Sequence, residues 1–296
     1  MSQTTLAAPA KLNLTLDILG TRPDGYHEME MVMQSVSLCD EVRLHLGFPG
    51  GIRAESGLRY LPNDRSNLAV AAALAFRRAT GQSWQDLRIS LTKRIPVCAG
   101  TAGGSSDAAA VLRGLNALTG AGLSPQELAR LGAEVGSDVP YCVLGGTALA
   151  RGRGELLTPL PDLPPCVFVL CKPRFSISTP ALFRAWDKAK RHLRPDTQGV
   201  LAALAAGDLA ALAQRMFNVF EAVLPPHQRR DIEGIKTTLL QTGALGAAMS
   251  GSGPTVFGLF SREELAQAAV DRLREDYSEV FLAHPLPAHA PGEGLV

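Results

Sequence analysis

The stretch from Pro96 to Leu112, P-V-C-A-G-T-A-G-G-S-S-D-A-A-A-V-L, constrains the fold of this chain more than any other segment. Upstream of it, Leu87–Thr92 alternates apolar and polar residues, the period of a half-buried strand. Downstream, an alanine-rich run predicts a helix from Ser105 or Ser106 to Thr119, closed by Gly120. After Lys93-Arg94-Ile95, small residues fill the loop from Pro96 to Gly104. A strand that feeds a helix through such a loop gathers free backbone N–H groups, the positive end of a helix dipole and two serine hydroxyls at one point. That is an anion site. A plain serine-capped turn would use the same residues, so the rest of the chain must decide.

Spacing removes the competing phosphate and nucleophile motifs. A dinucleotide G-x-G-x-x-G counted from Gly100 requires glycine where Ala102 and Ser105 stand. A Walker A loop from the same glycine requires Gly at Ser105 and Lys at Ser106. A G-x-S-x-G elbow fails because Gly104-Ser105-Ser106 runs into Asp107 and Ala108.

Composition narrows the class further. With 296 residues the chain is long for one domain and can bury a large core without disulfide or metal staples. Hydrophobic residues at 46% against 19% charged exclude a disordered scaffold. Lys+Arg 29 against Asp+Glu 28 leaves no basic field for nucleic acid or an anionic membrane. Cys39, Cys98, Cys142, Cys166 and Cys171 are odd in number and lack a C-x-x-C pair, against a disulfide framework or zinc site. The longest apolar run, Leu68 to Phe76, is too short to span a bilayer, and no secretory leader is visible, so a cytoplasmic protein is expected.

Along the chain, K-L-N-L-T-L-D-I from Lys11 to Ile18 predicts a strand with Leu12, Leu14, Leu16 and Ile18 on one face and Lys11, Asn13, Thr15 and Asp17 on the other. Arg22-Pro23-Asp24-Gly25 is a turn, and Glu41–Leu46 a further strand. Asn67 to Thr80 reads as a helix closed by Gly81, and Ser124-Pro125-Gln126-Glu127 as a capping box opening another, ending near Gly136. Pro159, Pro161, Pro164 and Pro165 mark a connection between two domains, 1–158 and 159–296. Beyond it, strands are predicted at 166–171, 256–260 and 279–282. Helices are predicted at 180–189, 199–224, 227–242 and 263–277, and a loose tail from His284. Strands and helices mix without a regular βαβ beat, so the class is α+β. A second glycine cluster, Met249-Ser250-Gly251-Ser252-Gly253-Pro254, permits either close approach of another backbone or a tight bend before a strand.

Five of these pieces, in order, resemble the GHMP kinases: Pro9-Ala10-Lys11-Leu12-Asn13, Asp24-Gly25-Tyr26-His27, the loop at 96–109, Gly136-Ser137-Asp138-Val139-Pro140, and 249–254. Within that superfamily, the wording is most similar to the branch whose substrate is 4-diphosphocytidyl-2-C-methyl-D-erythritol, from the non-mevalonate isoprenoid pathway. The resemblance implies a left-handed βαβ N-terminal domain, a ferredoxin-like C-terminal domain and an active site in the cleft between them. It implies ATP-dependent phosphorylation of a small alcohol, with Mg²⁺ carried by the nucleotide and no dedicated metal cage. Lys11 and Asp138 match the catalytic pair. Pro96, Val97, Cys98, Ala99, Gly100, Thr101, Ala102, Gly103, Gly104, Ser105 and Ser106 match the ATP loop. Asn13, Tyr26, His27, Thr179 and Phe183 match the cytidine end of the substrate. Homoserine or a mevalonate derivative is the alternative acceptor, and a monomer or homodimer the expected assembly. The chain departs from the family loop at Thr101 and Ala102, where leucine and glycine are usual, and the Ala102 methyl narrows the dihedral range there.

Overall fold

Two antiparallel strands of twenty residues each, β1 (Ser2–Thr21) and β2 (His27–Leu46), form the spine of the first sheet. The predicted turn joins them: the Gly25 N–H donates to the Arg22 carbonyl at 3.0 Å, and Gly25 takes φ 82°. The computed structural model describes residues 2–189 and 193–289. Outward from β2 lie β4 (Leu87–Thr92) and β3 (Ile52–Ser56), the last two parallel with α1 (Leu68–Thr80) between them. Farther along β2, β5 (Thr147–Gly152) and then β6 (Leu156–Pro159) extend the sheet. Three further helices belong to this part of the chain: α2 (Gly103–Thr119), α3 (Pro125–Ala133) and α4 (Val139–Leu144).

Local chemistry accounts for the helix ends. Asn67 accepts the Ala69 N–H at 3.0 Å, and Gly81 closes α1 with φ 64°. At α3 both halves of the capping box form, Ser124 Oγ accepting from Glu127 N–H and Glu127 Oε2 from Ser124 N–H.

The second sheet has the order β11-β7-β10-β9, every pair antiparallel: β7 (Val167–Lys172), β9 (Gly246–Met249), β10 (Val256–Phe260) and β11 (Glu279–Ala283). Helices α8 (Pro226–Gln241) and α9 (Glu263–Arg274) pack on it. This strand order, with helices crossing between β7 and β9 and between β10 and β11, is the ferredoxin-like arrangement implied by the resemblance. Between β7 and β9 run α5 (Thr179–Lys188), α6 (Thr197–Ala205), α7 (Leu209–Ala213) and β8 (Phe217–Asn218), which pairs in parallel with β1 and so joins the first sheet.

Three expectations need correction. The predicted helix over 199–224 is broken into α6, α7, β8 and a single 3₁₀ turn at Val219–Val223. Asp208 caps a new helix through the Ala211 N–H, and Gly207 at φ 66° turns the chain before it. The predicted single apolar face of Lys11–Ile18 is also divided. Register shifts after Pro9 and after Asn13 make Leu14 an extra residue, so Leu12 and Leu14 join Phe168 and Leu170, whereas Leu16 and Ile18 join Met29 and Met31. The polar face of the strand is buried too, Lys11, Asn13, Thr15 and Asp17 being 4% exposed or less. Finally, His284–His289 is not loose. It crosses back over the first half, where Leu286 N–H donates to Ser35 O at 2.8 Å and His289 N–H to Leu144 O at 2.9 Å. Residues 290–296 of the predicted tail lie outside the described residues.

Candidate active site

The buried polar side chains of β1 open at one end into a cleft of about 1050 Å³ walled by both halves of the chain. Lys11 reaches it from β1, with Nζ donating to Asn13 Oδ1 at 2.6 Å and standing 3.8 Å from Asp138 Oδ2. Asp138 sits directly before α4 and makes no side-chain cap to that helix. Its side chain is 34% exposed and lines the cleft, so the ordinary capping explanation for an aspartate at this position does not apply. Asn13, expected at the substrate, lies behind the lining of the cleft. It is fully buried, its Nδ2 contacts Met31 Sδ at 3.3 Å, and it supports Lys11 from beneath instead of forming the cleft wall.

The loop from Pro96 to Ser105 lines the same cleft. Lys11 N–H donates to Thr101 O at 3.1 Å, which fastens the loop to β1. Cys98 (φ 53°) and Ala102 (φ 58°) are the non-glycine residues with left-handed backbone among the described residues, and both belong to this loop. The left-handed Ala102 turns the chain into α2 at Gly103, two or three residues earlier than predicted. The early start carries Ser106 inward: it is 1% exposed and its Oγ donates to Pro9 O at 2.7 Å. Ser105 and the first N–H groups of α2 face the cleft instead.

The second glycine cluster shows both properties its residues permit, the bend before β10 and a close backbone approach. A Cβ on Gly100 would lie 2.1 Å from Ser250 O, and Ser250 Oγ donates to Gly100 O at 3.0 Å. Asn218 clamps the cluster by donating from Nδ2 to Met249 O and Gly251 O.

A charged triad beneath the loop escaped the sequence reading. Lys93 donates to Asp107 Oδ2 at 2.5 Å and to Asp40 Oδ2, and Asp40 Oδ1 accepts Ile95 N–H at 2.8 Å. Burial holds the Asp107 carboxyl well above the usual carboxylate range, with the Asp40 charge adding to the effect and Lys93 opposing it. Burial alone would lower the Lys93 ammonium, but the two carboxylates outweigh it and hold its pKa up. No spacing signal links Asp40, Lys93 and Asp107; only the β2–β4 pairing and the start of α2 bring them together.

At the other end of the cleft, α5 faces the β1–β2 turn. Phe183 stacks on His27 with ring centroids 4.4 Å apart and an interplanar angle of 22°. Thr179 Oγ1 lies 2.7 Å from Ser252 Oγ, and the Arg153 guanidinium sits 4.7 Å over the exposed Tyr26 ring. The structure therefore brings Lys11, Asp138, Tyr26, His27, Thr179, Phe183 and the 96–105 loop to one cleft, and leaves Asn13 and Ser106 behind its wall. Among the described residues, no group of three or more His, Cys, Asp or Glu could hold a metal, and no helix is long and apolar enough to cross a membrane.

Comparison with known proteins matches this architecture. Residues 67–146 fit the GHMP kinases N terminal domain and residues 200–279 the GHMP kinases C terminal family. A 4-diphosphocytidyl-2-C-methyl-D-erythritol kinase of Brevibacillus brevis is 45% identical over 287 residues, 96% of this chain and 97% of that protein. A protein of the same name from Alkaliphilus metalliredigens is 44% identical over 95% of this chain and 96% of its own. A crystal structure of 4-(cytidine 5'-diphospho)-2C-methyl-D-erythritol kinase superposes with a TM-score of 0.78 at 35% identity, covering 95% of this chain and 98% of that one. A homoserine kinase from Cytophaga hutchinsonii shares the fold, at a TM-score of 0.76 and 22% identity over 97% of this chain and 96% of its own. With both family domains matched in order, and relatives at this identity along nearly the whole length, the chain belongs to the GHMP kinase family, in its 4-diphosphocytidyl-2-C-methyl-D-erythritol kinase group.

Proposed function

We propose that this chain transfers the γ-phosphate of ATP to the 2-hydroxyl of 4-diphosphocytidyl-2-C-methyl-D-erythritol. The observation that carries the reading is Lys11 Nζ standing 3.8 Å from Asp138 Oδ2 in a cleft bounded on one side by a helix N-terminus and on the other by Tyr26, His27 and Phe183. Relatives at 42–46% identity bearing this substrate in their names favour it over homoserine or mevalonate as acceptor. The proposed division at 158/159 falls at the last residue of β6, just before the connection that leads to β7 at Val167.

In this reading the ATP phosphates lie on the N–H groups at the start of α2 and on Ser105, from residues 96–105, while Ser106 buckles the loop to β1. The loop fits a nucleotide: Gly104 has only Leu68 Cδ1, at 3.6 Å, near the place of a Cβ, which leaves room for a phosphate against the backbone. Mg²⁺ would be carried by the nucleotide and would offset phosphate charge; Asp107, which lines the cleft and whose buried Oδ1 has no hydrogen-bond partner among the described residues, is the carboxylate that would hold it, giving up its proton to do so. Asp138 accepts the proton of the attacking hydroxyl, and Lys11, held by Asn13, offsets charge on the phosphoryl group in flight. Phosphoryl transfer asks mainly for such positioning and charge neutralisation. Tyr26, His27, Thr179 and Phe183 hold the cytidine end. The five unpaired cysteines agree with a reducing cytoplasm.

Mass-spectrometric detection of phosphorylated product from purified protein, ATP and each alcohol in turn tests the substrate. Asp138→Asn should lose at least ~100-fold in kcat while an ATP analogue still binds within a few-fold, since a positioned base is worth ~10²–10⁴-fold. Lys11→Met should lose as much, and the double variant little more. Near-wild-type kcat in Asp138→Asn refutes the assignment.

A further inference from the structure

His27 is held by α5 on more than one side. Its ring stacks on Phe183 and meets the edge of Trp186 at 6.0 Å and 90°, so the ring plane is set by aromatic contact. Its Nε2 lies 2.8 Å from Asp187 Oδ1, one helical turn beyond Phe183. No hydrogen bond among the described residues uses Nδ1, and His27 lines the cleft. An ionised carboxylate only accepts, so the Asp187 contact places the proton of a neutral imidazole on Nε2 and leaves the Nδ1 lone pair as an acceptor. The fixed ring thus presents an acceptor edge to whatever enters beside it.

Cytosine and uracil differ at the atom such an edge would read. Cytosine offers an exocyclic amine, a donor, where uracil offers a carbonyl, an acceptor. We propose that Asp187 is a positioning residue that fixes the His27 tautomer and thereby makes the site prefer a cytosine over a uracil ring. The inference rests on the reading of a cytidine-bearing substrate. Asp187 itself is 44% exposed, sits at the rim of the cleft against His27 and acts on the base through that ring. A contact that merely clasps α5 to the β1–β2 turn would have no bearing on which base is taken.

The test compares kcat/KM for the CDP-linked alcohol and its UDP-linked counterpart, with ATP, in wild type, Asp187→Asn and Asp187→Ala. An amide supports either tautomer and alanine supports neither, so both variants should lower the cytosine-to-uracil ratio about 3- to 10-fold, the worth of one neutral hydrogen bond. A clasp alone would reduce turnover of both substrates by the same factor and leave the ratio unchanged, which overturns the inference while the cytidine reading stands. A wild type that takes both substrates equally overturns the cytidine reading and the inference together. Nitrogen-15 spectra of the histidines in the ligand-free wild type give a second readout: His27 protonated on Nε2 supports the inference, and protonation on Nδ1 alone overturns it.

Discussion

Two left-handed positions, two residues apart in the loop at 96–105, should answer substitution with opposite signs. Gly100 (φ 78°) lies against the second glycine cluster, and a Cβ there would stand 2.1 Å from Ser250 O and 2.8 Å from Gly253 N. Both obstacles are backbone, so no rotamer change relieves them. Gly100→Ala must part the two loops, at the expense of the Ser250 Oγ to Gly100 O bond and of Thr255 N–H to Ala99 O at 3.2 Å. Left-handed strain in a non-glycine residue costs about 1–2 kcal/mol and each lost hydrogen bond about 1 kcal/mol, so Gly100→Ala should destabilise by about 3–4 kcal/mol. Ala102 already carries left-handed strain at φ 58°. Ala102→Gly relieves about 1–2 kcal/mol but adds about 0.5–1 kcal/mol of unfolded-chain entropy, for a net gain of roughly 0.5–1 kcal/mol. ATP affinity in Ala102→Gly should hold or tighten, because the loop keeps its shape. Urea unfolding with a shared m value reads the stabilities, and calorimetric titration with an ATP analogue reads the affinity. Destabilisation by Ala102→Gly, or a loss under 1 kcal/mol in Gly100→Ala, would refute the reasoning.

Gly103→Val places a branched side chain where a Cβ already meets Ile95 Cγ2 at 3.1 Å and Asp40 Oδ2 at 3.4 Å. ATP affinity by titration should fall at least ~10-fold, and unchanged affinity would mean the loop is not the phosphate cradle. Asp107, pushed up by burial, keeps a proton when folded that it gives up when unfolded; its contribution is full below the usual carboxylate value and lost as pH rises toward about 7. Stability of Asp107→Asn should therefore decline less than that of wild type between pH 4 and 7 in denaturant titrations. Burial lowers His289 from 6.5 to about 4, with Arg113 nearby adding to the effect, so its contribution is full above the unfolded value and lost as pH falls toward 4. His289→Leu should keep the 284–289 segment protected from amide exchange at pH 4.5, where wild type begins to release it.

Most of the site was legible because its chemistry is local in sequence. Lys11, the loop at 96–105 and Asp138 each sit in a short run whose residue types already imply what the backbone does. The capping box at Ser124 and the glycine closures at 81 and 120 formed where predicted, since a helix end is decided within a few residues. What stayed hidden depends on distance along the chain. Asp40, Lys93 and Asp107 meet only through strand pairing, and Asp187 reaches His27 only once α5 folds over the β1–β2 turn. The burial of Ser106 and Asn13 stayed hidden for a different reason. An unforeseen left-handed alanine advanced the start of α2, and tertiary contacts buried a strand face that alternation alone treats as open.

The short pairing of β8 with β1, Thr15 beside Phe217 and Leu16 beside Asn218, bears on the order in which the molecule is made. The strand that covers this part of the β1 edge lies about 200 residues farther along the chain, so it leaves the ribosome much later than β1. At roughly 5–20 residues per second, the Thr15–Leu16 edge waits about 10–40 s for its partner. Throughout that interval the nascent chain carries an unpaired strand edge beside a row of polar side chains destined for burial, the kind of surface on which β-structured chains join one another. Asn218, which also grips the Met249–Gly251 backbone, then completes the first sheet and seats the second glycine cluster on the loop at 96–105. Synthesis therefore delivers the proposed active-site cleft late, and the half that carries Lys11, Asp138 and the loop at 96–105 depends on its successor to finish it.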